Sequence, residues 1–177
     1  MDDILQRVTG EHDFFKNILE KVPGFKGYVE REDRRAADKL LRENVADEFE
    51  RLWGRISALQ REVISNGELD KIDDLESASL KLRQFIDRVR TASYGYAGFF
   101  DAIKVNTEEL DEIYKYDAQL LELGTQLSNA IDNVEASFGT DGQPAAIRHL
   151  VTLSQDSVDA FDRRGQIIVN MSANTAA

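Results

Sequence analysis

The side chains able to do acid–base, nucleophilic or metal chemistry are few in this sequence and poorly grouped. The two histidines, His12 and His149, each lack a glutamate three positions before them. A di-iron carboxylate site in a helical bundle is built from Glu-x-x-His on two of its helices, so no such centre is expected. There is no cysteine, which removes disulfides, thiolate nucleophiles and thiolate metal sites together. Ser154 and Ser157 follow His149 within a few turns of helix, but serines at seam positions chiefly let helices approach. No glycine-rich phosphate loop follows a strand. The expectation is therefore no catalytic residue, no metal and no cofactor.

Three charged or aromatic groupings stand out. Asp117 is the one charge within an otherwise apolar or small seam. Buried there, it must pair or take up a proton. One reading makes it a buried polar site or ligand contact, the seat of any activity in the core. The others make it the register-setting partner of an arginine across the bundle, or place it on a seam rotated towards water. The second grouping runs from Lys26 to Arg42, where Lys26, Arg31, Arg34, Arg35, Lys39 and Arg42 alternate with Glu30, Glu32, Asp33 and Asp38. Helical spacing lets these acids and bases bridge one another, which predicts a solvated, self-bridged face. Its functional alternative is an anion or lipid-headgroup site on Arg34, Arg35 and Lys39. Third, Tyr94 and Phe99 flank the seam residues Tyr96 and Phe100 beside Gly95 and Gly98. Aromatics next to small residues suit a partner-binding surface, or a seat for an N-terminal helix.

The elements that must position these groups are helices. Val45, Phe49, Leu52, Ile56, Leu59 and Val63 alternate steps of four and three, one apolar face of a helix. That predicts a helix from Val29 to Ser65, roughly 55 Å long, ended by Asn66-Gly67. The stripe Ile72, Leu75, Ser79, Leu82, Ile86, Val89 continues in register through Tyr96, Phe100 and Ile103, predicting a second helix over 68–104. Asn106 with Glu109 is capping chemistry ahead of a third stripe, Leu110 to Phe138, in which Asp117 and Gly124 occupy seam positions. Pro144 suits the first turn of a fourth helix, with Ile147, Val151, Ser154, Val158, Phe161, Gly165 and Ile168 as its stripe. These four helices and their turns predict an all-α, antiparallel up-down-up-down four-helix bundle over 29–171, with a frayed tail at 172–177. Residues 1–22 form an additional shorter helix, joined by a linker at 23–28, that docks on the bundle or pairs with a second copy. A homodimer through residues 1–22 follows from its apolar face.

The chain has 177 residues and a formal charge of −11, enough length for one domain with a real core. The last 72 residues hold 12 acids against 4 bases. Such a surface repels phosphate backbones and anionic membranes, so no nucleic-acid partner is expected. No apolar run reaches the ~20 residues of a membrane span, and the acidic start, Met1-Asp2-Asp3-Ile4, is not a secretory signal. The expected location is cytoplasmic.

Two stretches, Pro23-Gly24-Phe25-Lys26-Gly27-Tyr28 leading into Arg31-Glu32-Asp33-Arg34-Arg35-Ala36-Ala37-Asp38-Lys39, and Tyr94-Gly95-Tyr96-Ala97-Gly98-Phe99-Phe100-Asp101-Ala102-Ile103-Lys104, resemble a group of uncharacterised bacterial helical proteins. The resemblance implies a bacterial origin and brings no activity with it. The leading expectation is a non-enzymatic interaction or scaffold module that binds a protein partner or itself. The alternatives are a small-ligand or lipid-headgroup binder using segment 26–42, and an enzyme with a core site near Asp117.

Overall fold

The computed structural model describes residues 13–30, 34–92 and 107–175. Among the described residues six helices pack against one another: α1, Asp13–Lys21; α2, Phe25–Glu30; α3, Arg34–Ser65; α4, Ile72–Thr91; α5, Thr107–Ala136; and α6, Gln143–Thr175. A single 3-10 turn, Leu69–Lys71, leads into α4.

The stripes read from the sequence are the core. Val45, Phe49, Leu52, Ile56, Leu59 and Val63 are each at most 2% exposed. Leu75, Leu82, Ile86 and Val89 of α4 are fully buried, as are Leu127, Ile131 and Val134 of α5. Each such side chain contributes about 1.5–3 kcal/mol by leaving water, and the heptad-like spacing keeps them on one face through long helices. Phe85 of α4 joins the layers, 4.2 Å from the Phe49 ring of α3 and edge-on at 5.9 Å to Phe161 of α6.

The turns follow local chemistry. α3 ends where Gly67 adopts φ +75° and the Glu68 N–H bonds the Val63 carbonyl at 2.9 Å. This is the glycine-terminated helix end that the Asn66-Gly67 pair predicts. Between α5 and α6 the Thr140 hydroxyl donates to the Ser137 carbonyl and accepts from the Gly142 N–H, closing a turn before Pro144.

Two boundaries and the order of neighbours differ from expectation. The stretch 23–28 anticipated as a linker is packed: Phe25 is fully buried and residues 25–30 are helical. Gly24 at φ +83° makes the corner between α1 and α2. Apolar burial overrides the breaker composition here. α4 begins at Ile72, behind the 3-10 turn Leu69–Lys71, and runs to Thr91; residues 93–104 of the anticipated helix over 68–104 lie outside the described residues. The neighbours also differ from those of consecutive helices in a ring. Among the described residues, α3 packs chiefly on α4 and α5, and α6 on α4 and α5, while α1 lies on α5 and α2 on α3. Consecutive α4 and α5 are not principal neighbours.

Candidate functional site

Where α3, α5 and α6 converge, the interior is charged. Asp117 of α5 is 1% exposed and faces Arg164 of α6, also 1% exposed. Arg164 Nε donates to Asp117 Oδ1 at 2.6 Å and Nη2 to Oδ2 at 3.3 Å. Nη2 also reaches Asp38 Oδ1 of α3 at 2.6 Å. The second oxygen of Asp38 accepts from Arg42 Nε at 2.8 Å, and Arg42 Nη1 donates to the Val89 carbonyl of α4 at 3.2 Å. One connected set of hydrogen bonds thus touches all four long helices. Its two acids and two bases sum to zero charge, which is what a buried ionic cluster requires.

The electrostatics follow from that geometry. Burial pushes the Asp117 carboxyl above its ordinary value, against the pull of Arg164. Burial alone would lower the Arg164 guanidinium, yet Asp117 and then Asp38 hold it above its already high value, so it stays charged. Both Asp117 oxygens are engaged by Arg164. That is the arrangement of a structural ion pair across the interior rather than of a general base waiting for a substrate proton.

The other residues singled out in the sequence fall elsewhere. Ser154 and Ser157 are fully buried and donate to the carbonyls of Leu150 and Leu153, each at 2.8 Å. A serine bonded back to its own helix is a packing residue. His149 is exposed, and His12 lies outside the described residues. Among the described residues no three His, Cys, Asp or Glu side chains are grouped to hold a metal. Tyr94 and Phe99 lie outside the described residues, as does the Arg34 side chain; Arg35 and Lys39 are exposed. Arg42 and Asp38, anticipated on a solvated face, are instead 5% exposed and part of the charged interior. Lys39 pairs instead with Glu43, 3.7 Å away and outside the acids expected to bridge it.

Arg164 belongs to no motif of the sequence, and Asp38 and Arg42 enter it as part of a self-bridged face, yet the spacing marks all three as interior. Stepping back from Val45 by three and then four residues reaches Arg42 and Asp38, so both continue the α3 seam. Arg164 bridges Phe161 and Ile168 by the same three-then-four rhythm, and Gly165 beside it fits the stripe equally well as four then three.

A second polar cluster closes the opposite end. Lys71 Nζ donates to Glu68 Oε2 at 2.9 Å and to Gln143 Oε1 at 3.1 Å, and Gln143 Nε2 donates to Glu68 Oε2 at 2.7 Å. It clips the α3–α4 turn to the start of α6. The bonds from Lys71 and Gln143 hold the Glu68 carboxyl below its ordinary value. A depressed carboxyl stabilises the fold above its unfolded-state pKa, and that stabilisation is lost as pH falls through the folded value. Glu68→Gln is expected to flatten the acid limb of thermal stability slightly. Melting temperatures of both proteins from neutral pH down through the carboxylate range would show it; parallel curves would refute it.

Two surface clefts accompany these clusters. One, of about 420 Å³, is lined by Lys39, Arg42, Glu43, Asp47, Val89 and Arg90. The other, of about 440 Å³, lies by Lys21, Glu48, Arg51 and Thr125; Lys21 donates there to Thr125 Oγ1 at 2.8 Å, and Arg51 donates to Glu48. No described helix is long and apolar enough to cross a membrane.

No protein-family model, curated protein or solved structure matches this chain.

Proposed function

We propose that the chain is a non-enzymatic interaction or scaffold module of the bacterial cytoplasm. The observation that supports this reading is the charged interior. Both oxygens of Asp117 are taken by Arg164, and those of Asp38 by Arg164 and Arg42, so each buried carboxylate is committed within the fold. The function then belongs to the surface of a rigid body.

The body we infer is a four-helix arrangement of two hairpins, α3–α4 and α5–α6, laid side by side. Arg55 reaches Asp132 and Glu135, while Phe49 lies against Gly124. Residue numbers in α3 and α5 rise together, so these two helices run parallel. Lys71 meets Gln143 and Arg88 meets Asp162, which makes α4 and α6 parallel too. Directions alternate along the chain, but the passage from α4 to α5 crosses the diagonal. A Cβ on Gly124 would come within 3.3 Å of the Phe49 ring, so glycine sets the spacing of the two hairpins.

The partner surface we propose is the aromatic segment holding Tyr94 and Phe99. Self-association through the 13–22 part of the segment 1–22 requires α1 to leave α5, because Phe15 and Ile18 are already fully buried within the chain. The test is affinity capture of the tagged protein from bacterial cytosol, with mass spectrometry of the captured species. One stoichiometric partner, lost on Tyr94→Ala with Phe99→Ala while the melting temperature holds, is the expected result. Capture unchanged by that pair of substitutions would overturn the aromatic surface. A chain that recovers nothing would overturn the module.

A further inference from the structure

We propose that the cleft between α3 and the last turn of α4 binds a small oxyanion, a phosphate or phosphate-monoester group, seated on Arg42 and rimmed by Lys39 and Arg90.

The argument starts from Arg42. Its side chain is only 6% exposed, yet it lines the cleft. A guanidinium offers five N–H donors in a fixed plane. Asp38 takes Nε and the Val89 carbonyl takes Nη1. Nη2 donates to no group among the described residues. A buried, rigidly held cation that lines a cleft and keeps one donor uncommitted among the described residues is a preorganised anion seat, because its desolvation and orientation are met by the fold before any ligand arrives.

The rim adds to it. Lys39 and Arg90 bring the lining cations to three, beside the carboxylates Glu43 and Asp47; with Asp38 on Arg42 and Glu50 on Arg90 the site carries no net positive charge, so it would hold an anion through placed donors rather than through net charge. Lys39, Arg42, Glu43 and Asp47 share one face of α3 by their spacing. Both rim cations sit in exposed pairs: Lys39 lies 3.7 Å from Glu43, and Arg90 meets Asp47 at 3.3 Å and Glu50 at 2.8 Å. Exposed pairs of this kind hold their partners weakly and exchange with solute anions. The carbonyl end of α4 would repel an anion, but Arg42 caps one of those carbonyls and Arg88 and Arg90 occupy the last turn. Phosphate oxygens match guanidinium and ammonium donors better than chloride does, through directional charge-assisted hydrogen bonds. The second cleft lacks a buried cation of this kind.

The test is calorimetric titration of the full chain with inorganic phosphate at constant ionic strength, alongside arginine-side-chain NMR. Saturable binding that shifts the Arg42 guanidinium signals and leaves those of Arg55 in place is expected. Lys39→Gln with Arg90→Gln should weaken binding by about tenfold, since two charge-assisted bonds are removed. Glu43→Gln with Asp47→Asn should tighten it severalfold, because competing carboxylates are gone. All four positions are on the surface, so equal melting temperatures would establish that the variants fold. Phosphatidylcholine vesicles with and without phosphatidic acid separate the sources: binding to the acidic vesicles assigns a lipid headgroup, and binding to phosphate alone a soluble phosphate ester. Absence of saturable binding to both probes, or affinity indifferent to the two pairs of substitutions, overturns the site.

Discussion

Arg164→Met will lower the unfolding free energy by about 3–5 kcal/mol at neutral pH, the cost of breaking a buried ion pair by removing one partner. Methionine fills much of the volume, so little of the loss comes from a cavity. It comes from the carboxylates left behind. Asp117 loses both of its bonds to Arg164, and Asp38 keeps only Arg42. Burial already pushes the Asp117 carboxyl up, and Arg164 is the main force holding it down. Without the arginine it rises further. A folded-state pKa above the unfolded one makes protonation favour the native state, so the variant recovers stability as pH falls and loses it as pH rises through the folded value. Urea unfolding of both proteins at acidic and neutral pH would show a gap that narrows in acid. A constant gap would mean packing, not charge, explains the loss.

The companion variant, Asp117→Leu with Arg164→Met, removes the cross-interior pair whole and leaves Asp38 bonded to Arg42. Replacing a complete buried pair with apolar groups is often neutral or stabilising, so this variant should recover most of the lost stability. If it recovers stability but broadens amide resonances in α5 and α6, the charges serve to fix helix register rather than to strengthen the fold. Recovery without broadening would remove that role.

The helices were legible because each apolar stripe runs unbroken through a long element. The Val45-to-Val63 stripe is buried residue for residue, and Gly67 ends α3 where a left-handed residue is needed. Asp117 was legible as a polar interruption of a seam, since a lone charge among apolar positions requires a partner. Arg164 was harder to read. It lies next to Gly165, and either residue continues the stripe within one step; only the position of α5 decides between them. The order of neighbours was not legible at all. A heptad stripe states which face of a helix is buried, not which helix covers it. Two hairpins side by side and a ring of consecutive helices use the same stripes. Long-range pairs such as Arg55 with Asp132, and the fit of Gly124 on Phe49, distinguish them. The burial of Phe25 is not legible because Pro23 and Gly24 mark a turn without stating whether its flanks are covered.

Phe15→Ala will release α1 from the body of the protein without unfolding the rest. Phe15 is fully buried, edge-on to the Tyr114 ring of α5 at 5.9 Å and 6.0 Å from the Phe25 ring. Truncating such a phenylalanine costs about 3–5 kcal/mol where the structure stays in place. α1 has nine residues, too few to remain helical alone, so its helicity and its docking are lost together. The bonds from Lys21 to Thr125 and the Leu121 carbonyl are too exposed to hold it. The loss to the whole molecule is therefore capped at the docking energy of α1, and it appears as local opening rather than global destabilisation. Hydrogen exchange should show the amides of residues 13–22 unprotected and those of α4 and α6 unchanged. The uncovered face of α5, with Tyr114, Ala118 and Leu121, would then meet water and drive association that rises with concentration, measurable by light scattering. Equal loss of protection in every helix would instead make α1 part of one cooperative unit, and the chain could not free that helix to pair with a second copy without unfolding.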